Sequence, residues 1–176
     1  MSGTGTLQRG VPASLATPTD LDPQARDRVV EALNVLLADA FALYLKTKNY
    51  HWHMVGSHYR DYHLLLDEHA DQIFATTDVL AERVRKIGGT TIRSIGHIGR
   101  LQTIADDDAA EHTALEMLTT LCEDSRNYTA ALRKAHDACN DANDVATASL
   151  LENFIDESER RTWFLFETIS GGELTT

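Results

Sequence analysis

The sequence predicts an all-α fold, a bundle of four long helices with a short extra helix between the second and third. Three observations carry that prediction. Proline is confined to positions 12, 18 and 23, and the glycines leave three uninterrupted stretches, 24–55, 57–87 and 100–170. Glycine and proline are the residues that interrupt helices. Within those stretches apolar residues recur at alternating steps of three and four, the helical period. Nowhere does the two-residue alternation of a strand compete with it.

The first helix is expected over 23–54. Asp22 is placed to accept from the free N–H groups of its first turn, and Pro23 suits the first helical position. Its apolar stripe is Val30, Leu33, Leu37, Ala40 and Tyr44. The second is expected over 58–87, with the stripe Leu66, Ala70, Ile73, Thr77, Leu80, Val84 and Ile87. Arg85 and Lys86 complement the dipole in its last turn, and Gly88 can close it. The link 88–107 carries Ile92, Ile95, Ile98 and Leu101, enough apolar surface for the short extra helix. The third long helix is expected over 108–139, opened by a capping box of Asp108 and Glu111. Its stripe is Ala114, Leu118, Leu121, Ser125, Tyr128, Leu132 and Ala135. A polar break at Asn140–Asp144 separates it from a fourth helix over 145–170, striped by Leu151, Ile155, Ser158, Thr162, Leu165 and Ile169. One apolar face per helix requires each helix to pack on others.

The chain has 176 residues, 43% of them apolar, which suits one domain. Domain organisation is read as a Gly/Ser/Thr/Pro-rich flexible tail at 1–22, the helical domain at 23–171 and a short tail at 172–176. No apolar run reaches membrane-spanning length, and the N-terminus has neither the basic start nor the apolar stretch of a secretory signal. Cys122 and Cys139, seventeen residues apart on one helix, stand about 25 Å from each other and cannot bridge. These features together predict a cytoplasmic protein. A net charge of −11 disfavours nucleic acid and favours cations, though a solvated acidic surface explains it as well.

Metal-capable residues concentrate at 51–82. His51, His53, His58 and His63 crowd into thirteen positions, and Asp67, Asp71, Asp78 and Glu82 follow. His63 with Asp67, and Asp78 with Glu82, are each one helical turn apart and share a face. Imidazole with carboxylate suits iron, and also zinc or manganese. Asp67 and Asp78 are about 16 Å apart along the axis, whereas metal–ligand bonds run about 2.0–2.2 Å. The two pairs therefore make separate sites, or a second copy of the helix, antiparallel across a two-fold axis, completes a joint one. His51 lies as far before the turn at Gly56 and Ser57 as His63 lies after it, so a helical hairpin brings His51, His63 and Asp67 to one height. Any one of these residues alone reads as solvated surface. His53, His58, His69, His97, His112 and His136 are left with that reading. The chain contains no Glu-x-x-His, which argues against a di-iron centre buried among four helices of one subunit.

The run Lys48-Asn49-Tyr50-His51-Trp52-His53-Met54-Val55-Gly56, then His63-x-x-x-Asp67 and Asp78-x-x-x-Glu82-Arg83, resembles the signature of the Dps family, the mini-ferritins named for DNA protection during starvation. The resemblance spans roughly 27–170 and includes Gly88-Gly89 and the Trp163 region. It implies a ferritin-like four-helix bundle, a hollow homododecamer, and iron bound at dimer interfaces by His51, His63 and Asp67 of one chain with Asp78 and Glu82 of the other. It implies a ferroxidase that oxidises Fe(II), commonly with hydrogen peroxide, and stores Fe(III) mineral. Asp78 and Glu82 would be the strongest anionic ligands and His51 the imidazole contact. His63 and Asp67 would serve a second, weaker iron or act through water. Trp52 is placed to intercept stray oxidising equivalents, while Tyr50 reads first as packing. Glu123, Asp124, Asp137 and Asp141 are candidates for acidic pores. His53 departs from the asparagine that often follows the tryptophan. DNA binding is expected to be weak or absent, because residues 1–22 hold one cation, Arg9, against Asp20 and Asp22. The competing reading is a non-enzymatic nucleoid-associated or structural cage.

Overall fold

The computed structural model describes residues 11–170. Residues 1–10 and the tail at 172–176 lie outside that range, as does position 171. The described chain is all-helical: α1 Pro23–His53, α2 Tyr59–Lys86, α3 Ile95–Leu101, α4 Ala114–Asp141 and α5 Val145–Ser170. Four long helices and one short helix between the second and third match the predicted class, a ferritin-like bundle. No described helix is long and apolar enough to cross a membrane.

α1 starts where expected. The Asp22 carboxylate accepts from the N–H groups of Gln24 and Ala25 at 3.1 and 2.9 Å, and Pro23 follows it. The six stripe residues within α2, and Ile87 just past its end, are all buried. In α1 the buried line is Val29, Leu33, Leu36, Leu37, Ala40 and Leu43, with Val30 and Tyr44 at its margin. In α5 it is Leu151, Phe154, Ser158, Arg161 and Leu165, leaving Ile155, Thr162 and Ile169 half-buried. The inward face of each of these helices is thus rotated slightly from the one the stripe suggested.

α1 packs along α2 and α4 along α5. The two hairpins join through α1 and α4, and α2 meets α5 at few positions. The core is formed by Leu33, Leu37, Leu66, Leu80, Leu121, Leu132 and Leu151, among others, all at or below 2% exposure. At its C-terminal end α2 is tied to the α4–α5 corner. The Arg83 guanidinium donates to Thr147 Oγ1 and to the buried Asp144 carboxylate, both at 2.6 Å. Gly88 closes the helix at φ +81°, a conformation that favours glycine, and a Cβ there would lie 2.6 Å from the Thr17 carbonyl oxygen.

The connection from α2 to α4 runs over α1, and buried polar groups hold it there. The Asp39 carboxylate, 1% exposed, accepts from Thr103 N at 2.5 Å, Thr103 Oγ1 at 2.8 Å and Ile104 N at 3.1 Å. Asn34 donates to the Thr90 carbonyl at 3.0 Å and accepts from Thr91 Oγ1 at 2.9 Å. α4 begins later than the expected position 108. Its capping box is Thr113 with Glu116, not Asp108 with Glu111. The preceding carboxylate, Asp107, is engaged elsewhere: it accepts from the Tyr50 hydroxyl and from His112 Nε2 at 3.0 Å, which keeps the strand of chain before Thr113 against α1. Residues 11–22, assigned to a tail on composition, lie partly against α2, where Arg85 donates to the Leu15 carbonyl at 2.9 Å.

Candidate metal centre

The α1–α2 hairpin does what the spacing around Gly56 implies. His51 in the last turn of α1 and His63 in the second turn of α2 stack face to face, ring centroids 3.7 Å apart and planes within 20°. Each imidazole is clamped by the other residue's backbone. His51 Nδ1 donates to the His63 carbonyl at 2.8 Å, and His63 Nδ1 donates to the His51 carbonyl at 3.0 Å. A carbonyl only accepts, so both Nδ1 atoms carry the proton. In the neutral rings both Nε2 lone pairs are then free. That is the orientation metal-binding histidines receive from their outer hydrogen bonds. Tyr59 extends the stack, its ring 5.0 Å from that of His63.

Asp67, one turn after His63, turns its Oδ1 to the same place, 3.7 Å from His51 Nε2. The carboxylate is about half exposed, and Lys48 Nζ sits on that same oxygen at 2.6 Å. The hydrogen bond from Lys48 holds the Asp67 carboxyl below its usual range, with the Lys48, His51 and His63 charges adding to the effect. His51, His63 and Asp67 are therefore brought together. Asp78 and Glu82 are not. They are exposed further along α2, Glu82 paired with Lys86 at 3.0 Å, both ends well in solvent. Among the described residues no three His, Cys, Asp or Glu side chains of the one chain surround an ion position.

Asp67, Asp71, Phe74, Asp78 and Glu82 succeed one another at steps of three and four, so they form a single line along α2. Phe74, at its middle, is 50% exposed and packs against Tyr44 and Phe41 of α1, centroids 4.9 and 6.3 Å away. Leu45 and Trp52 of α1 are 58% and 59% exposed. They border a groove of about 820 Å³ shared with Tyr44, Ile95 and Ile98. A carboxylate line with an exposed aromatic centre thus runs along α2 from Asp67, the residue beside the His51–His63 pair, and an apolar groove flanks it.

Sequence reasoning missed two features here. Lys48 lies one turn before the histidine on the same helix, a spacing that signals a shared face. Asp107 has no such signal, because it lies some fifty residues from its partner. Desolvation and its bond to Asp107 push the Tyr50 phenol above its usual range, and the bonds from Tyr50 and His112 lower the Asp107 carboxyl to about 2. Of the remaining histidines, His53 bonds the Asn49 carbonyl, His112 bonds Asp107, and His136 lies beside Glu152 on the surface. Asp124, a candidate pore residue, is paired at 2.6 Å with the nearly buried Lys46. Glu123, Asp137 and Asp141 are exposed.

Comparison with known proteins adds independent information. A family model described as a ferritin-like domain matches residues 30–174. An uncharacterised low-temperature-induced protein of Nostoc sp. is 34% identical over 86% of this chain and 85% of that protein. DNA protection during starvation protein 1 of Deinococcus radiodurans is 30% identical over 82% of this chain and 70% of its own length. The solved structure of Dps from Thermosynechococcus elongatus superposes with a TM-score of 0.83 at 25% identity, covering 87% of this chain and 98% of that one.

Proposed function

Since this chain belongs to the ferritin-like family, among its Dps members, we propose that it is a ferroxidase and iron store whose reactive centre is shared between two subunits. The observation that carries this reading is the reciprocally clamped His51–His63 pair. It presents two free Nε2 atoms beside half-exposed Asp67, with His51 itself buried. The matching carboxylates, Asp78 and Glu82, are exposed further along the same helix line. An antiparallel two-fold copy of α2 would bring them opposite the histidines.

Iron is the substrate. Fe(II) is held by His51, Asp78 and Glu82 as the stronger contacts, with His63 and Asp67 serving a weaker second position. The protein's own contribution is to hold the imidazoles aimed through their Nδ1 bonds, so that no reorganisation is needed when the metal arrives. Because the ligands must be deprotonated, iron affinity falls as the histidines and carboxylates protonate. Exposed Trp52 borders the centre and can give up an electron to stray oxidants before they reach other molecules. Peroxide serves as the oxidant, and the ferric product is retained as mineral within a closed homo-oligomer, a dodecamer in this reading. The protein acts in the cytoplasm and binds DNA weakly or not at all. An acidic surface favours Fe(II) approach and opposes nucleic acid.

The decisive experiment mixes metal-free protein anaerobically with Fe(II), adds peroxide and follows ferric absorbance. The expected rate exceeds the protein-free control, and equality with that control would end the ferroxidase reading. His51→Ala and Glu82→Ala should each be slow as homogeneous assemblies. Verified mixed dimers of the two should recover one intact centre of two, near half the unmodified rate. Mixed dimers as slow as the parents would rule out the cross-chain division.

A further inference from the structure

The interior of the bundle holds a cation that no carboxylate meets. Arg161 of α5 is 1% exposed, the largest side chain to be buried so completely. Its Nε and Nη1 are enclosed without a hydrogen-bond partner. So is Nε2 of His69 on α2, a residue that is also 1% exposed. We propose that Arg161 and His69 form an internal binding site for a small monovalent anion of the halide class, held between α2 and α5.

The charge balance carries the argument. A guanidinium keeps its proton at any pH a folded protein meets. Taking it out of water is costly unless an opposite charge and hydrogen bonds replace the lost solvent. Water supplies the hydrogen bonds but not the charge. The adjacent Arg160 shows how an arginine on this helix is otherwise accommodated. It stays half exposed, bonds Glu68 at 3.2 Å and lies over the Phe164 ring at 4.3 Å. Glu68, the carboxylate next to His69 on α2, is thereby engaged from the outside. Glu157, one turn before Arg161, is exposed. Tyr128 of α4 also faces Arg161, but burial pushes its phenol above the usual range, so it offers no counter-charge. His69 lies close enough to feel the positive charge of Arg161. A neutral imidazole carries one N–H, and the tautomer with the proton on Nε2 makes it a donor.

The surroundings set the class of anion. Leu66 and Ile73 flank His69 on α2, Leu165 follows Arg161 on α5, and all three are at or below 2% exposure. A few N–H donors within apolar walls suit a halide. Phosphate or sulfate would bring oxygens that these walls leave without donors. The net charge of −11 opposes anions at the surface, so a specific anion effect on stability reports an interior site. The bound anion neutralises Arg161 and ties α2 to α5, helices that otherwise meet at few positions.

Unfolding of the metal-free protein near neutral pH, in sodium chloride against sodium gluconate at one ionic strength, tests the site. Gluconate is too large for the interior. Above the dissociation constant, each tenfold rise in chloride should lower the unfolding constant per chain about tenfold. Arg161→Met, similar in length and uncharged, should lose this dependence. His69→Leu should move it to about tenfold higher chloride, the effect of one hydrogen bond to an ion. Should Arg161→Met fail to fold, bromide, with its anomalous X-ray signal, tests the unmodified protein directly. Crystals grown in bromide should show one ion within hydrogen-bond reach of Arg161 and of His69 Nε2. Equal stability in chloride and gluconate, or a chloride dependence that persists in folded Arg161→Met, would overturn the site. So would crystals with bromide at the surface alone, or with Glu157 turned inward onto Arg161. A His69→Leu protein with the parent's chloride midpoint would overturn the two-residue assignment.

Discussion

His69 is buried at 1% exposure between α2 and α5, with its Nε2 without a partner and the Phe164 ring 6.4 Å away. Burial, and then the positive charge of the equally buried Arg161, lower its titration from 6.5 to about 4. A group whose folded pKa is depressed stabilises the fold fully above its unfolded value. That stability drains as pH falls below 6.5 and is gone below about 4. The difference corresponds to on the order of 3 kcal/mol, by the usual conversion of pKa shift to free energy. His69→Leu, close in volume and uncharged, should therefore flatten the loss of stability between pH 6.5 and 4 in denaturant unfolding. An unchanged slope in that window would remove His69 as the cause. In the sequence this residue looked like any surface histidine beside Glu68. What separates it is its phase on α2, one turn after Leu66 and one before Ile73, on the buried face. The meeting of the three candidate residues was legible for the opposite reason. His51, His63 and Asp67 are local in sequence, and one hairpin turn determines their meeting. Asp107 and Tyr50 meet across a long connection, and no local rule records that.

At the scale of elements, the helices were legible because burial repeats with the period of the backbone, and α2 shows it in every stripe residue. The start of α4 was not. Asp108 and Thr113 both head plausible capping boxes, and the choice is made by Tyr50 and His112 holding Asp107 outside the helix. The line of α2 also sets a register for the proposed dimer. Pairing His63 with Glu82, and Asp67 with Asp78, across two antiparallel copies centres the two-fold axis between Gln72 and Ile73. Phe74 then lies beside that axis, opposite Asp71 of the partner subunit. A half-exposed ring supported by Tyr44 and Phe41 is the kind of aromatic anchor that dominates an interface. Phe74→Ala should weaken the dimer by about 2 kcal/mol or more. It should leave the monomer's helicity unchanged, since the ring is on the outer face. Sedimentation equilibrium reads the first quantity and circular dichroism the second. A dimer of undiminished affinity would exclude this register.

Among the described residues, two sets of exposed apolar side chains lie on different hairpins of the bundle. Leu45, Trp52 and Phe74 belong to the α1–α2 side. Leu115 at the start of α4, with Trp163 and Phe166 in the closing turns of α5, belongs to the other hairpin, at its open end away from the α4–α5 turn. A single two-fold contact uses one self-complementary patch and stops at a dimer. A second, separate patch lets each dimer bind further copies, and two kinds of contact with different axes are what a closed shell requires. Neither patch can be seen as a patch in the sequence, because the residues of each come from distant segments and look like ordinary members of a stripe. The two contacts should be separable. Trp163→Glu, a charge in the middle of the second patch, should leave dimers and prevent larger assemblies, whereas Phe74→Ala should act on the first contact. Native mass measurement distinguishes these outcomes. The dimeric Trp163→Glu should still oxidise Fe(II), since its two shared centres are intact, but the ferric product should precipitate with no shell around it. A Trp163→Glu protein that still assembles at the unmodified mass would show that the α4–α5 patch takes no part in closing the shell.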